Sequence, residues 1–198
     1  MSEPVIEWGS AGLALPGETE SGDCSVVELK DNRATIAVID GLGHGAEAAA
    51  ASKAAARILT TSPHESLMVL LRRCHDELRS TRGAAMTLAR FDGDTGTLFW
   101  LGAGNVKAVL LRRGTPAACL DLLVYSGVVG AQLPTIQTSK VLVGRGDILI
   151  LATDGIDKKF IDSIRYDEAP PQQQAERLLV DHRSLTDDAL VLVARLDR

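Results

Sequence analysis

Four acidic turns, remote from one another along the chain, abut apolar runs. Val38-Ile39 stops at Asp40-Gly41-Leu42-Gly43-His44-Gly45, and Leu149-Ile150-Leu151-Ala152 stops at Thr153-Asp154-Gly155. Asp187-Asp188 stands directly before Ala189-Leu190-Val191-Leu192-Val193, and Ser21-Gly22-Asp23 comes just before Val26-Val27. A carboxylate at the rim of a buried strand is expensive to desolvate unless a positive charge neutralises it. No Lys or Arg adjoins the Asp40 or Asp154 turn, so a divalent cation is the economical partner. Hard ions such as Mg²⁺ and Mn²⁺ take oxygen ligands and keep several waters. Two of them about 3.5–4 Å apart clamp an in-line displacement at phosphorus. A glycine after the aspartate lets a backbone carbonyl approach as a further ligand, and Asp40-Gly41 and Asp154-Gly155 both have this form.

Taken singly, each Asp-Gly is first a turn, because that pair is among the commonest turn dipeptides. Asp92-Gly93-Asp94-Thr95-Gly96 opens like a calcium loop, but Ala103 stands where the twelfth-position glutamate belongs, so it reads as a hairpin turn. Arg145-Gly146-Asp147 is read the same way.

The remaining composition narrows the function classes. The 198 residues suit one domain. With 45% apolar and 24% charged residues the chain is globular. Aromatics are only 4%, so the core must be built from Ala, Val, Leu and Ile, and base-stacking recognition is disfavoured. A net charge of -5 argues against a broad nucleic-acid footprint. The N-terminus lacks the basic and apolar segments of a signal peptide, and no run approaches the roughly 18 apolar residues of a membrane span. Cys24, Cys74 and Cys119 are odd in number and widely spaced, which fits small buried hydrophobes of a cytoplasmic protein rather than disulfides or a zinc motif.

The elements that must carry these turns are legible in outline. Residues 46–59 contain eight alanines and no Gly or Pro, which predicts a helix able to lie close to its neighbour. Ser62-Pro63-His64-Glu65 has the form of an N-cap, first-turn proline and capping-box glutamate. Leu67, Leu70, Leu71, Cys74 and Leu78 then share one face of a second helix, with Arg72, Arg73, Asp76 and Arg79 opposite. A third helix is expected over 172–181, after Pro170-Pro171. Strands are expected at 5–15, 24–30, 34–39, 84–91, 97–102, 106–112, 120–125, 136–143, 148–153 and 189–196. Tight turns at Asp31-Asn32, Asp92-Gly93-Asp94, Arg113-Gly114 and Arg145-Gly146 join several of them as hairpins. Hairpins around one early helical pair give an α+β, antiparallel order.

The ordered set Ser21-Gly22-Asp23, Asp40-Gly41-Leu42-Gly43-His44-Gly45, Thr153-Asp154-Gly155 and Asp187-Asp188 resembles the metal-dependent Ser/Thr protein phosphatases of the PPM class, in their bacterial SpoIIE-type branch. Gly83-Ala84-Ala85-Met86-Thr87 is similar to the small-residue strand start that family members carry after their first helix pair. The resemblance covers essentially residues 1–198 as a single phosphatase domain. It implies an antiparallel β-sandwich flanked by helices, in four αββα layers. It implies that Asp40 bridges two Mn²⁺ or Mg²⁺ ions, that the Gly41 carbonyl holds one ion, and that Asp154 and Asp187 hold the other. Asp23 would anchor metal-bound waters from outside the ligand set and Asp188 would flank the site. A hydroxide between the ions would then attack the phosphoserine or phosphothreonine phosphorus directly. The partners implied are phosphorylated proteins, STAS-domain components of a stressosome foremost, with no nucleic acid and no membrane.

The chain departs from the wider PPM pattern in two places. Eukaryotic members carry an Arg near the N-terminus that grips the substrate phosphate, whereas here no Arg or Lys precedes Lys30. They also place a His two residues after the bridging Asp. Here that position is Leu42, and His44 follows two residues later, as a proton donor to the leaving group or as a loop residue. Other readings compete. Gly41-Leu42-Gly43-His44-Gly45-Ala46 literally matches a dinucleotide-binding G-x-G-x-x-A, but a second helix follows where a parallel strand should. A non-catalytic phosphoprotein-binding module and a metal phosphoesterase acting on a small molecule complete the alternatives.

Overall fold

The computed structural model describes residues 5–114 and 119–197. In chain order the elements are β1 (Ile6–Leu13), β2 (Asp23–Lys30), β3 (Arg33–Gly41), α1 (Gly45–Thr61), α2 (Leu67–Leu78), β4 (Ala84–Asp92) and β5 (Thr97–Ala103). They continue with β6 (Lys107–Leu111), β7 (Cys119–Asp121), β8 (Ser139–Leu142), β9 (Ile148–Ala152), α3 (Phe160–Ser163), α4 (Pro171–His182) and β10 (Ala189–Leu196). Two five-stranded sheets form, ordered β1-β10-β9-β6-β7 and β2-β3-β4-β5-β8, with every ladder antiparallel.

Alternation along the strands sets the layers. Ala34, Ile36 and Val38 of β3 face Leu149 and Leu151 of β9 and Leu190, Leu192 and Ala194 of β10 in the core between the sheets. The intervening Ala37 and Ile39 turn outward onto Ala51, Ala55 and Leu59 of α1 and Leu70, Leu71 and Cys74 of α2. Ile148, Ile150 and Ala152 turn outward on the other side, beneath Phe160 of α3 and Ala175 and Leu179 of α4. Both faces of both sheets are thus covered, which is why the central strands read as unbroken apolar runs. The result is the four-layer αββα sandwich expected from the sequence. Among the described residues no helix is long and apolar enough to cross a membrane.

Three local expectations need correction. Helix α2 starts at Leu67, not within 62–65: Ser66 is its N-cap, accepting from the Val69 amide, while Ser62 ends α1. The Ser62 hydroxyl and the Glu65 carboxylate instead both receive Arg73 Nη1, at 2.7 and 2.9 Å. The strands expected over 120–125 and 136–143 shrink to β7 and β8. Each is a sheet edge, paired on one side only, and short edges are a common defence against further pairing. Among the cysteines only Cys74 is buried; Cys24 and Cys119 are half-buried. The Arg113-Gly114 turn runs up against residues 115–118, which lie outside the described residues. The Asp31-Asn32 turn takes positive φ at both residues (49° and 57°), as a tight hairpin requires. Asp92 Oδ1 accepts the Asp94 and Thr95 amides, so that segment is a hairpin turn.

The small residues around the acidic turns serve contact between backbones. A Cβ on Gly41 would lie 2.1 Å from the Ala48 carbonyl oxygen of α1, and one on Gly155 would lie 1.9 Å from that of Asp188. Both distances are far inside van der Waals contact with backbone that cannot swing away. Gly41→Ala is expected to lower unfolding free energy by about 3 kcal/mol or more, read as a drop in the urea midpoint; an unchanged midpoint would show that α1 is not seated as described.

Candidate metal centre

The alternation that puts Ile36 and Val38 between the sheets puts Asp40 there too, at the open end of the sandwich. Asp23 is its direct cross-strand partner on β2, and directly opposed residues carry their side chains on one face, with Cβ atoms about 5 Å apart. The opposite sheet delivers the other acids. Asp154 follows the end of β9, and Asp187 and Asp188 precede β10, the strand paired beside β9.

Hydrogen bonds lock the two sheets together here. Thr153 Oγ1 donates to Asp23 Oδ2 at 2.7 Å and accepts the Leu190 amide at 2.9 Å. Asp188 is only 3% exposed. Its Oδ1 accepts the Leu15 amide and its Oδ2 the Gly22 amide, each at 2.7 Å. Both its oxygens are therefore engaged in fastening the β1–β2 connection to the start of β10. Asp154 Oδ2 receives Asn105 Nδ2 at 2.5 Å, and Asp187 Oδ1 receives the Asp188 amide at 2.9 Å. Each of these two keeps its other oxygen unengaged among the described residues.

The electrostatics are one-sided. Burial, reinforced by the charges of Asp23, Asp154, Asp187 and Asp188, pushes the Asp40 carboxyl up to about 8. Burial also raises Asp23 to about 7, against the opposing Thr153 hydrogen bond, with help from Asp188, Asp154 and Asp187. Asp187 is raised by burial first; the Asp188 amide and the charge of His44 oppose the shift. The five sequence-predicted aspartates therefore share one electrostatic neighbourhood. Among the described residues no three Asp, Glu, His or Cys side chains are already closed into a ligand cluster. The donors on offer are Asp40, the Gly41 carbonyl, Asp154 and Asp187, all oxygen. That set fits a hard divalent cation and not a thiolate- or imidazole-seeking one. A cation would also offset the burial and the repulsion that together drive Asp40 and Asp23 toward protonation.

His44 is the N-cap residue of α1 but makes no side-chain cap. Its ring is 55% exposed, and Nδ1 sits 2.6 Å from Glu18 Oε1. Four contributors escaped the sequence reading or received no role there: Glu18, Asn105, the hydroxyl of Thr153, and Arg82. Arg82 pairs with Glu47 at 2.5 Å, and its Nη1 lies 2.8 Å from where a Cβ of Gly43 would stand. A guanidinium thus rests on the Asp40–Gly45 turn although none is near it in sequence. Its position just before Gly83-Ala84-Ala85 is the one signal that pointed to it. The dinucleotide alternative fails on topology, since β4, which follows α1 and α2, returns antiparallel to β3.

Comparison with known proteins agrees with the fold. Phosphoserine phosphatase RsbX of Bacillus subtilis (strain 168) is 22% identical over 184 residues, covering 93% of this chain and 92% of that protein. A structure solved in work on the bacterial stressosome, as a modular system adapted to control secondary messenger signalling, superposes with a TM-score of 0.87. It is 28% identical and covers 96% of this chain and 99% of its own. RsbX in complex with magnesium gives a TM-score of 0.86 at 20% identity, covering 100% of this chain and 98% of the other. Residues 30–197 match the family described as Stage II sporulation protein E (SpoIIE), and the chain belongs to that family of PPM-type phosphatase domains.

Proposed function

We propose that the chain acts as a single phosphatase unit, dephosphorylating phosphoserine or phosphothreonine in protein substrates with the help of two divalent cations, Mn²⁺ or Mg²⁺. The observation that carries this reading is the set of mutually repelling carboxylates at the mouth of the sandwich, with Asp40 driven to about 8 by burial and then by its neighbours' charges. Asp40, the Gly41 carbonyl, Asp154 and Asp187 would hold the ions. When bound, such ions lower the pKa of water and offset the charge of a phosphoryl group. Asp23 faces the same space from β2 and orders water there, while Asp188 fixes the backbone around it. Arg82 supplies positive charge at the rim, where an incoming phosphate arrives. In an RsbX-like role, phosphorylated STAS-domain stressosome components are the proposed substrates, which rests on the likeness to RsbX and to the stressosome-derived structure.

His44 is proposed to donate a proton to the departing serine or threonine oxygen, oriented by Glu18. When the P–O bond breaks, serine leaves as an alkoxide and needs that proton, whereas p-nitrophenolate does not. His44→Ala is therefore expected to lower kcat on a phosphoserine peptide about 100-fold and to change p-nitrophenyl phosphate turnover little. Equal losses on both substrates would assign His44 to the loop instead.

The activity itself is tested by Mn²⁺-dependent hydrolysis of p-nitrophenyl phosphate and of phosphorylated STAS-domain proteins, followed by mass spectrometry. Phosphate release that chelator abolishes is expected. Binding of the phosphoproteins without turnover would make the chain a recognition module.

A further inference from the structure

At the other end of the same sheet the charge is reversed. β3 begins at Arg33, seven residues before Asp40, so its far end lies about 24 Å from the acidic centre at about 3.4 Å per residue. There a cavity of about 130 Å³ is lined by Glu28, Lys30, Arg33, Thr35, His64 and Arg90, among others. Thr35 and Arg90 are cross-strand partners on β3 and β4. The Arg90 guanidinium lies over Thr35, with Nε donating to Thr35 Oγ1 at 3.1 Å and Nη2 to the Pro63 carbonyl at 2.8 Å. Its Nη1 has no hydrogen-bond partner among the described residues. Lys30 Nζ meets His64 Nε2 at 3.2 Å across the mouth. Arg33 spends its Nε on Asp92 at 2.9 Å.

Among the described residues the half-buried Arg90 forms no ion pair. Burial, with the neighbouring Arg33, lowers its pKa, and no carboxylate opposes that shift. Glu28 and Asp31 line the same cavity, but among the described residues neither forms an ion pair with Lys30, Arg33 or Arg90. A partly desolvated guanidinium that keeps one nitrogen for a ligand, next to a lysine, a second arginine and a histidine, forms a fork suited to tetrahedral oxyanions. This is set in a chain of net charge -5, so the patch is local and not part of a general basic surface.

We propose that this pocket binds a phosphoryl anion, as the phosphomonoester of a second phosphorylated side chain on a protein or as free inorganic phosphate. The site is separate from the acidic centre and does not depend on the phosphatase reading. Lys30, Arg33 and Arg90 supply the charge, and the exposed Lys30–His64 pair forms the entrance.

The test is a titration of the ¹⁵N-labelled full chain with inorganic phosphate in the presence of chelator, where the acidic centre repels anions. Amide shifts are expected at Thr35, His64 and Arg90, unchanged in Asp40→Asn. Lys30→Gln and Arg90→Gln are each expected to weaken binding about tenfold, the loss of one charge-assisted contact. Lys30 is exposed, so its variant remains informative if Arg90→Gln fails to fold. A parallel titration with a phosphoserine peptide separates the sources. Tighter binding than inorganic phosphate assigns the pocket to phosphoproteins, and equal binding assigns it to the free anion. Absence of shifts at these residues in both titrations, or shifts that Lys30→Gln leaves intact, overturns the proposal.

Discussion

Asp40→Asn is expected to abolish turnover and, at pH 8 in chelator, to raise the melting temperature. The first effect follows from the position proposed for Asp40 between two cations. An amide offers one neutral oxygen where a bridging carboxylate offers two charged ones, and loss of the second ion should cost at least about 10³-fold in kcat, near 4 kcal/mol of barrier. The second effect has the opposite sign and comes from the same carboxyl group. Asp40 is surrounded by Asp23, Asp154, Asp187 and Asp188, and burial with these charges holds its pKa near 8. At pH 8 the metal-free fold must therefore either keep a proton on Asp40 or tolerate its charge, while the amide does neither. The gain should be smaller at pH 5 and vanish only below about 3.8, where Asp40 is neutral in the folded and the unfolded chain alike. Scanning calorimetry of both proteins at pH 5 and pH 8 reads this out. A variant that loses stability at pH 8, or keeps near-wild-type activity, would remove Asp40 from the centre of the cluster.

That opposition between stability and the proposed function explains why the candidate site was easier to read in the sequence than its surroundings. Asp40, Asp154 and Asp187 stand out because each lies at the edge of an apolar run, at a point where folding alone would prefer a neutral residue. Asp188 stood out equally and proves to fasten backbone, through Leu15 and Gly22; its neighbour in sequence has the same charge, and only the direction of the side chain separates them. Thr153 reaches Asp23 across 130 positions of sequence. Asn105 and Arg82 sit in connections whose local pattern predicts only a turn. Such partners are set by the meeting of two sheets, which no window of neighbouring residues encodes. The fold itself was legible because strand-length apolar runs are separated by turn signals, of which Asp31-Asn32 and Asp92-Gly93-Asp94 join adjacent strands as hairpins. It blurred at β7 and β8, where one-sided pairing shortens the ladder, and at α2, where Ser62 looked like the cap but receives Arg73 while Ser66 caps the helix.

Metal-free protein is expected to lose stability as pH rises from 6 to 8, and divalent cations are expected to reverse the trend. Asp23 and Asp40 have folded pKa values of about 7 and about 8, against 3.8 for the ordinary group. Between 3.8 and these values the folded state holds protons that the unfolded chain has released. Stability then falls with pH by about 1.4 kcal/mol per pH unit for each such proton. The contribution is complete below 3.8 and is lost as pH rises through 7 and 8. Asp92 and Asp167, whose pKa values are lowered, at Asp92 against burial by the Thr95 amide and then Arg33, and at Asp167 by the Ala169 amide, act with the opposite sign. Their contribution is lost only in acid below 3.8, so they leave the 6–8 window untouched. A bound cation competes with the protons on Asp40 and Asp23, so Mn²⁺ or Mg²⁺ should raise the melting temperature more at pH 8 than at pH 6. Binding at pH 6 should also release protons, measured by titration calorimetry in buffers of different ionisation enthalpy. Metal binding without proton release at pH 6, together with a flat stability profile between 6 and 8, would mean that these carboxylates are already charged and compensated in the folded chain.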